Sequence, residues 1–159
     1  MLLGSSLVLA MLAGLLLNAL FRIGASRRLG TVWGPAEGAA ALRGFLEDGG
    51  RLAGARAEAV GRAAMVLGEF AEAAPALLAE GGAVAVEARF DEVSIAVDAL
   101  WPGHPLAGRT VLLSLDDDPD DPAIAAGLAL RLMRHHADAV TTATLPDGRQ
   151  RMRAMIDDR

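Results

Sequence analysis

A chain of 159 residues without a single cysteine excludes disulfides, thiolate catalysis and cysteine-based zinc sites. Fifteen basic residues, all arginine, against twenty acidic ones leave a net charge of −5, which disfavours nucleic acid as a partner unless the arginines cluster. Hydrophobic residues make up 53% but aromatic ones only 4%, so any core is built mainly from Ala, Val, Leu and Ile.

Residues 1 to 24, MLLGSSLVLAMLAGLLLNALFRIG, are almost unbroken apolar sequence. About 20 such residues in a helix span a hydrocarbon core of about 30 Å. Arg22, Arg27 and Arg28 follow at once, and basic residues stay on the cytoplasmic side. The expectation is a transmembrane helix with its C-terminal end in the cytoplasm. A secretory signal peptide would put its charges before the apolar core and a small-residue cleavage site after it. Ser6, Ala10, Gly14 and Asn18 recur every fourth residue and form one small-residue ridge. In lipid such a ridge admits a second helix, and the amide of Asn18 seeks a hydrogen-bond partner there. The expected partners are the bilayer and other transmembrane helices; the ridge also suits a homo-oligomer.

Residues 25 to 35 read as a juxtamembrane linker, punctuated by Gly30, Gly34 and Pro35. Trp33 suits either the membrane–water interface or packing onto the following domain. Residues 36 to 159 are long enough for one compact domain, since domains commonly run about 100–150 residues. A short helix is predicted over 36 to 48, ended by Gly49-Gly50, with Leu42, Phe45 and Leu46 on one face. A longer one follows from Arg51 to Ala74, with Val60, Ala63, Leu67, Phe70 and Ala74 as its buried stripe. Glu58 and Arg62 sit one turn apart as a supporting pair. Pro75 bends or restarts this helix, and Gly81-Gly82 ends it.

The period then changes from helical to alternating. AVAVEARF and VSIAVDA read as a hairpin whose two-residue Asp91-Glu92 turn pairs Phe90 with Val93. RTVLLSL reads as a third strand, and Asp116 to Asp121 as an acidic loop. Residues 122 to 136 predict a helix with Ile124, Leu128, Leu132 and Met133 on its apolar face. VTTATL and RQRMRAMI flank Pro146-Asp147-Gly148 as a last hairpin, with Met152, Ala154 and Ile156 on one side. Arg149, Arg151 and Arg153 face the other way, where they can meet acidic lipid, a partner or solvent. The fold class is therefore α+β: one transmembrane helix, then a small domain with helices on one face of an antiparallel-rich sheet.

No catalytic, cofactor or metal residues are assigned. The acidic run lacks the ligand spacing, central Gly and closing Glu of an EF-hand loop. Adjacent His135 and His136 project about 100° apart on a helix, a poor geometry for sharing one metal. Basic residues in that last turn instead suit the helix dipole.

GLLLNALFRIG, residues 14 to 24, resembles the closing transmembrane helix of bacterial xanthine/uracil permeases, the nucleobase–cation symporter family. ARFDEVSIAVDALWPGHPL and GLALRLMRHHADAVTTATLPDGRQRMRAMI are similar to the hairpin and the closing elements of a cytoplasmic C-terminal domain found in some members. The resemblance implies a transporter's C-terminal fragment in the inner membrane, whose domain is cytoplasmic, non-catalytic and regulatory or structural. Nucleobase and proton-coupling residues lie on earlier helices in that family, so no position here inherits them, and Met1 is either an internal methionine or a truncated start. The element order also resembles, distantly, histidine-kinase-like ATPases. Residues 51 to 79 hold no Asn for magnesium, and Asp98-Ala99-Leu100-Trp101-Pro102-Gly103 departs from the adenine-binding Asp-Xaa-Gly-Xaa-Gly pattern. The expectation is a degenerate relative without ATP binding. The alternative is a single-span signalling or scaffold protein with such a domain.

Overall fold

A computed structural model describes residues 3–22, 26–106 and 122–157, with the side chains of the first segment given over 8–17. In chain order it holds α1 (Leu3–Arg22), β1 (Arg27–Trp33), a single 3-10 turn (Pro35–Glu37), α2 (Gly38–Ala53) and α3 (Ala57–Leu77). Then come β2 (Val84–Phe90), β3 (Ser94–Trp101), α4 (Pro122–His136), β4 (Ala139–Thr144) and β5 (Gln150–Asp157). The five strands form one sheet in the order β1-β2-β3-β5-β4, and every neighbouring pair is antiparallel. Helices α2 and α3 pack on one face of it, and α4 packs on α3. The protein is α+β.

The apolar opening stretch is helical for twenty residues. Among the described residues no helix is long and apolar enough to cross a membrane. The fold by itself therefore does not establish the span expected over 1 to 24. None of the side chains described on α1 joins the core of the domain.

The linker expected over 25 to 35 is largely a strand. Leu29, Thr31 and Trp33 alternate inward, and Arg27–Trp33 pairs along its whole length with β2, from Arg27 opposite Phe90 to Trp33 opposite Val84. Trp33 is buried, and its indole N–H donates to the Gly38 carbonyl at 3.0 Å, so it belongs to the domain and not to a membrane interface.

Helix α2 does not stop at Gly49-Gly50. Both glycines are buried, and both stand where another element comes close. A Cβ on Gly49 would lie 2.8 Å from Leu29 Cδ1 and from Phe90 Cε2; one on Gly50 would lie 2.5 Å from Val60 Cγ2. Here glycine serves tight packing, and the helix ends instead at Gly54, whose φ of +72° closes it in the left-handed conformation. Helix α3 begins at Ala57, six residues later than expected, and runs past Pro75 to Leu77. Its predicted stripe, Val60, Ala63, Leu67, Phe70 and Ala74, is buried throughout. Arg62 does not serve Glu58; it reaches across to α4, as described below.

The β2–β3 hairpin has its expected faces but a different register. Phe90 pairs with Ile95, not Val93. The Asp91 carboxylate accepts the backbone N–H groups of Val93 (3.1 Å) and Ser94 (3.0 Å), which moves the turn onward. A two-residue slip keeps the faces, so Ile95 and Val97 stay inside while Val93 is left exposed at the tip. On α4 the buried side is Ala126, Ala129, Leu130 and Met133; Leu128 is exposed and Ile124 and Leu132 are half-buried. The alanines let α4 lie close against the alanine-rich α3. The last hairpin is as expected, with Gly148 at φ +83° and Met152, Ala154 and Ile156 buried. RTVLLSL and the run Asp116 to Asp121 lie outside the described residues.

Candidate functional site

Alternation on five strands gives the sheet a second face, on which none of the described helices of the domain packs. The paired registers place its side chains in rows. One row runs Arg28, Arg89, Ala96, Met155; the next Gly30, Glu87, Asp98, Arg153, Thr141; the third Val32, Ala85, Leu100, Arg151, Ala143. The rows enclose a cleft of about 240 Å³ walled by Arg28, Arg89, Arg151 and Arg153, by Glu87 and Asp98, and at one side by Leu100 and Leu145.

Asp98 is the centre of this face, with its side chain 15% exposed. Arg151 donates to its Oδ1 through Nε at 2.7 Å, and its terminal nitrogen stands 2.5 Å from the same oxygen as an ion pair. Arg153 Nε stands 3.4 Å from the other oxygen, close enough for attraction but outside hydrogen-bond geometry. Nε of Arg89 and Nε of Arg153 are both buried without a hydrogen-bond partner. A native domain rarely leaves charged donors in that condition without a reason.

The arrangement also works against folding. Arg28 lies directly opposite Arg89, and Glu87 directly opposite Asp98. Like charges in facing positions destabilise a sheet. Four guanidinium groups meet two carboxylates, so this face is positive on a chain that is negative overall.

Two other charged groups, around Asp138 and Asp147, tie parts of the fold together. Arg62 donates from Nε to the His136 carbonyl at 2.9 Å and from Nη2 to Asp138 Oδ2 at 2.7 Å. The same Asp138 oxygen accepts the Asp157 N–H at 2.8 Å. That bond first, and Arg62 second, hold the Asp138 carboxyl below its ordinary value. The trio ties α3, the end of α4 and β5 together. Asp147 is likewise lowered, by the Arg149 N–H and guanidinium within the last turn. His135 and His136 stand edge to face with ring centres 5.3 Å apart. Among the described residues no group of three or more His, Asp or Glu side chains could hold a metal.

Of the ridge expected on α1, the side-chain surroundings are described at Ala10 and Gly14. Ala10 is exposed, and a Cβ on Gly14 would meet nothing within 4 Å. The side chains of Ser6 and Asn18 lie outside the described residues. Of the arginines singled out on the last strand, Arg151 and Arg153 enter the cleft, whereas Arg149 precedes β5 and pairs with Asp147. Arg28 and Arg89 went unrecognised in the sequence, although Ala85, Glu87 and Arg89 alternate with the apolar positions of β2 and so mark its outer row.

No protein-family model matches this chain, and no curated protein matches it.

Proposed function

We propose that the chain is a membrane-anchored, non-catalytic α+β module, the C-terminal part of a nucleobase transporter, with its domain on the cytoplasmic side of the inner membrane. The observation that carries this reading is α1. Val8, Leu9, Met11, Leu12, Leu15, Leu16 and Leu17 are all between 52% and 68% exposed. Such a run in water is unfavourable, and lipid relieves it. Arg22, Arg27 and Arg28 follow on the side where basic residues are retained. Ser6, Ala10, Gly14 and Asn18 would then contact the transporter's other spans.

The domain has a regulatory or structural role in this reading. Its long helix, hairpin, late helix and last hairpin come in an order compatible with histidine-kinase-like ATPases. With no Asn on α3 and with Asp98 held by Arg151, it is read as a relative that binds no ATP.

The test is fractionation and labelling of the full chain. It should stay with membranes through a carbonate wash. A single cysteine at exposed Thr142 of this cysteine-free chain should react with an impermeant maleimide only after the cells are opened. Recovery in the soluble fraction, or labelling from outside intact cells, would refute the reading. Saturable binding of magnesium-ATP would transfer the domain to the signalling class.

A further inference from the structure

We propose that the cleft on the outer face of the sheet is a binding site for a singly charged phosphoryl anion, held by Arg28, Arg89 and Arg153. Three observations converge on it. The Nε groups of Arg89 and Arg153 are buried donors without a hydrogen-bond partner, and that of Arg153 has only the 3.4 Å ion pair with Asp98 Oδ2. Ligand oxygens in the cleft that both residues line would supply acceptors to these guanidinium groups, and charge-assisted bonds from guanidinium to phosphate are among the strongest available. Arg28 directly opposes Arg89 across the β1–β2 ladder, a repulsion that an anion placed between them turns into two attractions. Asp98 competes weakly for the ligand, because Arg151 occupies its Oδ1 and its Oδ2 stands 3.4 Å from Arg153 Nε without a hydrogen bond.

The size and charge of the cleft narrow the ligand. About 240 Å³ is below the about 300–1,000 Å³ of pockets that enclose drug-sized molecules, so a phosphate group with a small substituent fits and a nucleoside triphosphate does not. Glu87 lines the same cleft and repels a second negative charge at short range. A phosphodiester, with one charge, is therefore preferred over a dianionic monoester. Guanidinium is the cation suited to it, since its planar fork matches two phosphate oxygens at once.

Two sources offer such a group: a soluble phosphate ester and the headgroup of an anionic lipid. The second rests on the anchoring proposed above. Arg28 lies six residues after Arg22, and six residues extend at most about 20 Å. A chain anchored by α1 therefore cannot carry Arg28 far from the headgroups.

The experiment uses the full chain with a reporter cysteine at Ala143, which sits opposite Arg151 on the outer face, carrying an environment-sensitive fluorophore. In one arm the protein is reconstituted in phosphatidylcholine vesicles with increasing phosphatidylglycerol. In the other it is held in neutral detergent micelles and titrated with glycerophosphoglycerol or glycerol 3-phosphate, against chloride at equal ionic strength. A saturable response is expected, stronger for the diester than for the monoester. Arg89→Gln and Arg153→Gln should each weaken it about tenfold, the loss expected for one charge-assisted bond, and Arg131→Gln on the exposed side of α4 should not. Arg28→Gln, at the exposed edge strand, tests the site should either buried variant fail to fold. A response in the vesicle arm alone assigns the lipid headgroup; a response in micelles assigns a site for soluble esters as well. No response in either arm, or one that the arginine variants leave unchanged, overturns the proposal. Failure of the chain to float with vesicles would refute the anchor separately, while the micelle arm still decides the cleft.

Discussion

The two faces of the sheet are built from the same strands, one residue apart, and they obey different physics. The inner face presents Val84, Val86, Ala88, Phe90, Ile95, Val97, Ala99, Trp101, Met152, Ala154 and Ile156, all buried. Its organisation is one of volume: Trp101 lies 5.0 Å from Phe70 at an interplanar angle of 59°, with its N–H donating to the His104 carbonyl. The outer face is organised by charge, with guanidinium and carboxylate groups in rows that include two like-charged facing pairs. The difference separates what folds the protein from what is available to a partner. Stability resides where shape is matched, and an unmet electrostatic demand resides on the other side, one residue away.

The largest way to break this contrast is on the inner side. Trp101→Ala removes the ring packed on Phe70 and should lower stability by about 3–5 kcal/mol, measured by denaturant unfolding of the full chain in neutral micelles. On the outer side, Asp98→Asn leaves Arg151 facing a neutral group. It should lower stability by about 1 kcal/mol, reduced because Arg151 is 37% exposed, and this loss should shrink in high salt. A loss as large as that of Trp101→Ala would show that the outer charges are part of the core.

Asp138 stands just before edge strand β4, bonded to Arg62 of α3 and to the Asp157 N–H of β5. Its folded-state value lies below 3.8, so its contribution is fully present above the unfolded value and is lost as pH falls through the lower folded one. The thermal midpoints of the wild type and Asp138→Asn should therefore differ at neutral pH and converge as the pH falls below about 4. Parallel curves down to low pH would assign the effect to the lost hydrogen bonds alone. The smallest effect is the most telling. Arg89→Gln removes one partner of a facing cationic pair, so stability should stay within about 0.5 kcal/mol or rise slightly while the response to phosphate falls.

The inner face was legible in the sequence because it is local: alternating residues in 84 to 99 and 150 to 157, and the helical stripe of α3, state it directly. What escaped depended on neighbours distant in the chain. Strand β1 has only Leu29, Thr31 and Trp33 pointing inward, between glycines that read as punctuation, and its partner β2 begins some fifty residues later. Gly49 and Gly50 look like a stop until Phe90 and Val60 arrive against them. Helix α4 carries two apolar sets at helical spacing, and the surface of α3 selected the one richer in alanine. The cleft escaped for the same reason. Arg151 and Arg153 could be seen on one strand, but Arg28 and Arg89 join them only once the four strands β1, β2, β3 and β5 are laid side by side.

Strand β1 also gives the molecule a mechanical polarity. Arg27, the described end of β1 nearer to α1 in the chain, is the first rung of the ladder, opposite Phe90 at the hairpin end of β2. Tension on α1 therefore loads that rung first and unzips the edge strand one pair at a time, with the Trp33 indole on Gly38 as the final latch. The second rung to part is the one that joins Arg28 to Arg89, so a pull on the helix dismantles the cationic cleft long before it disturbs the core.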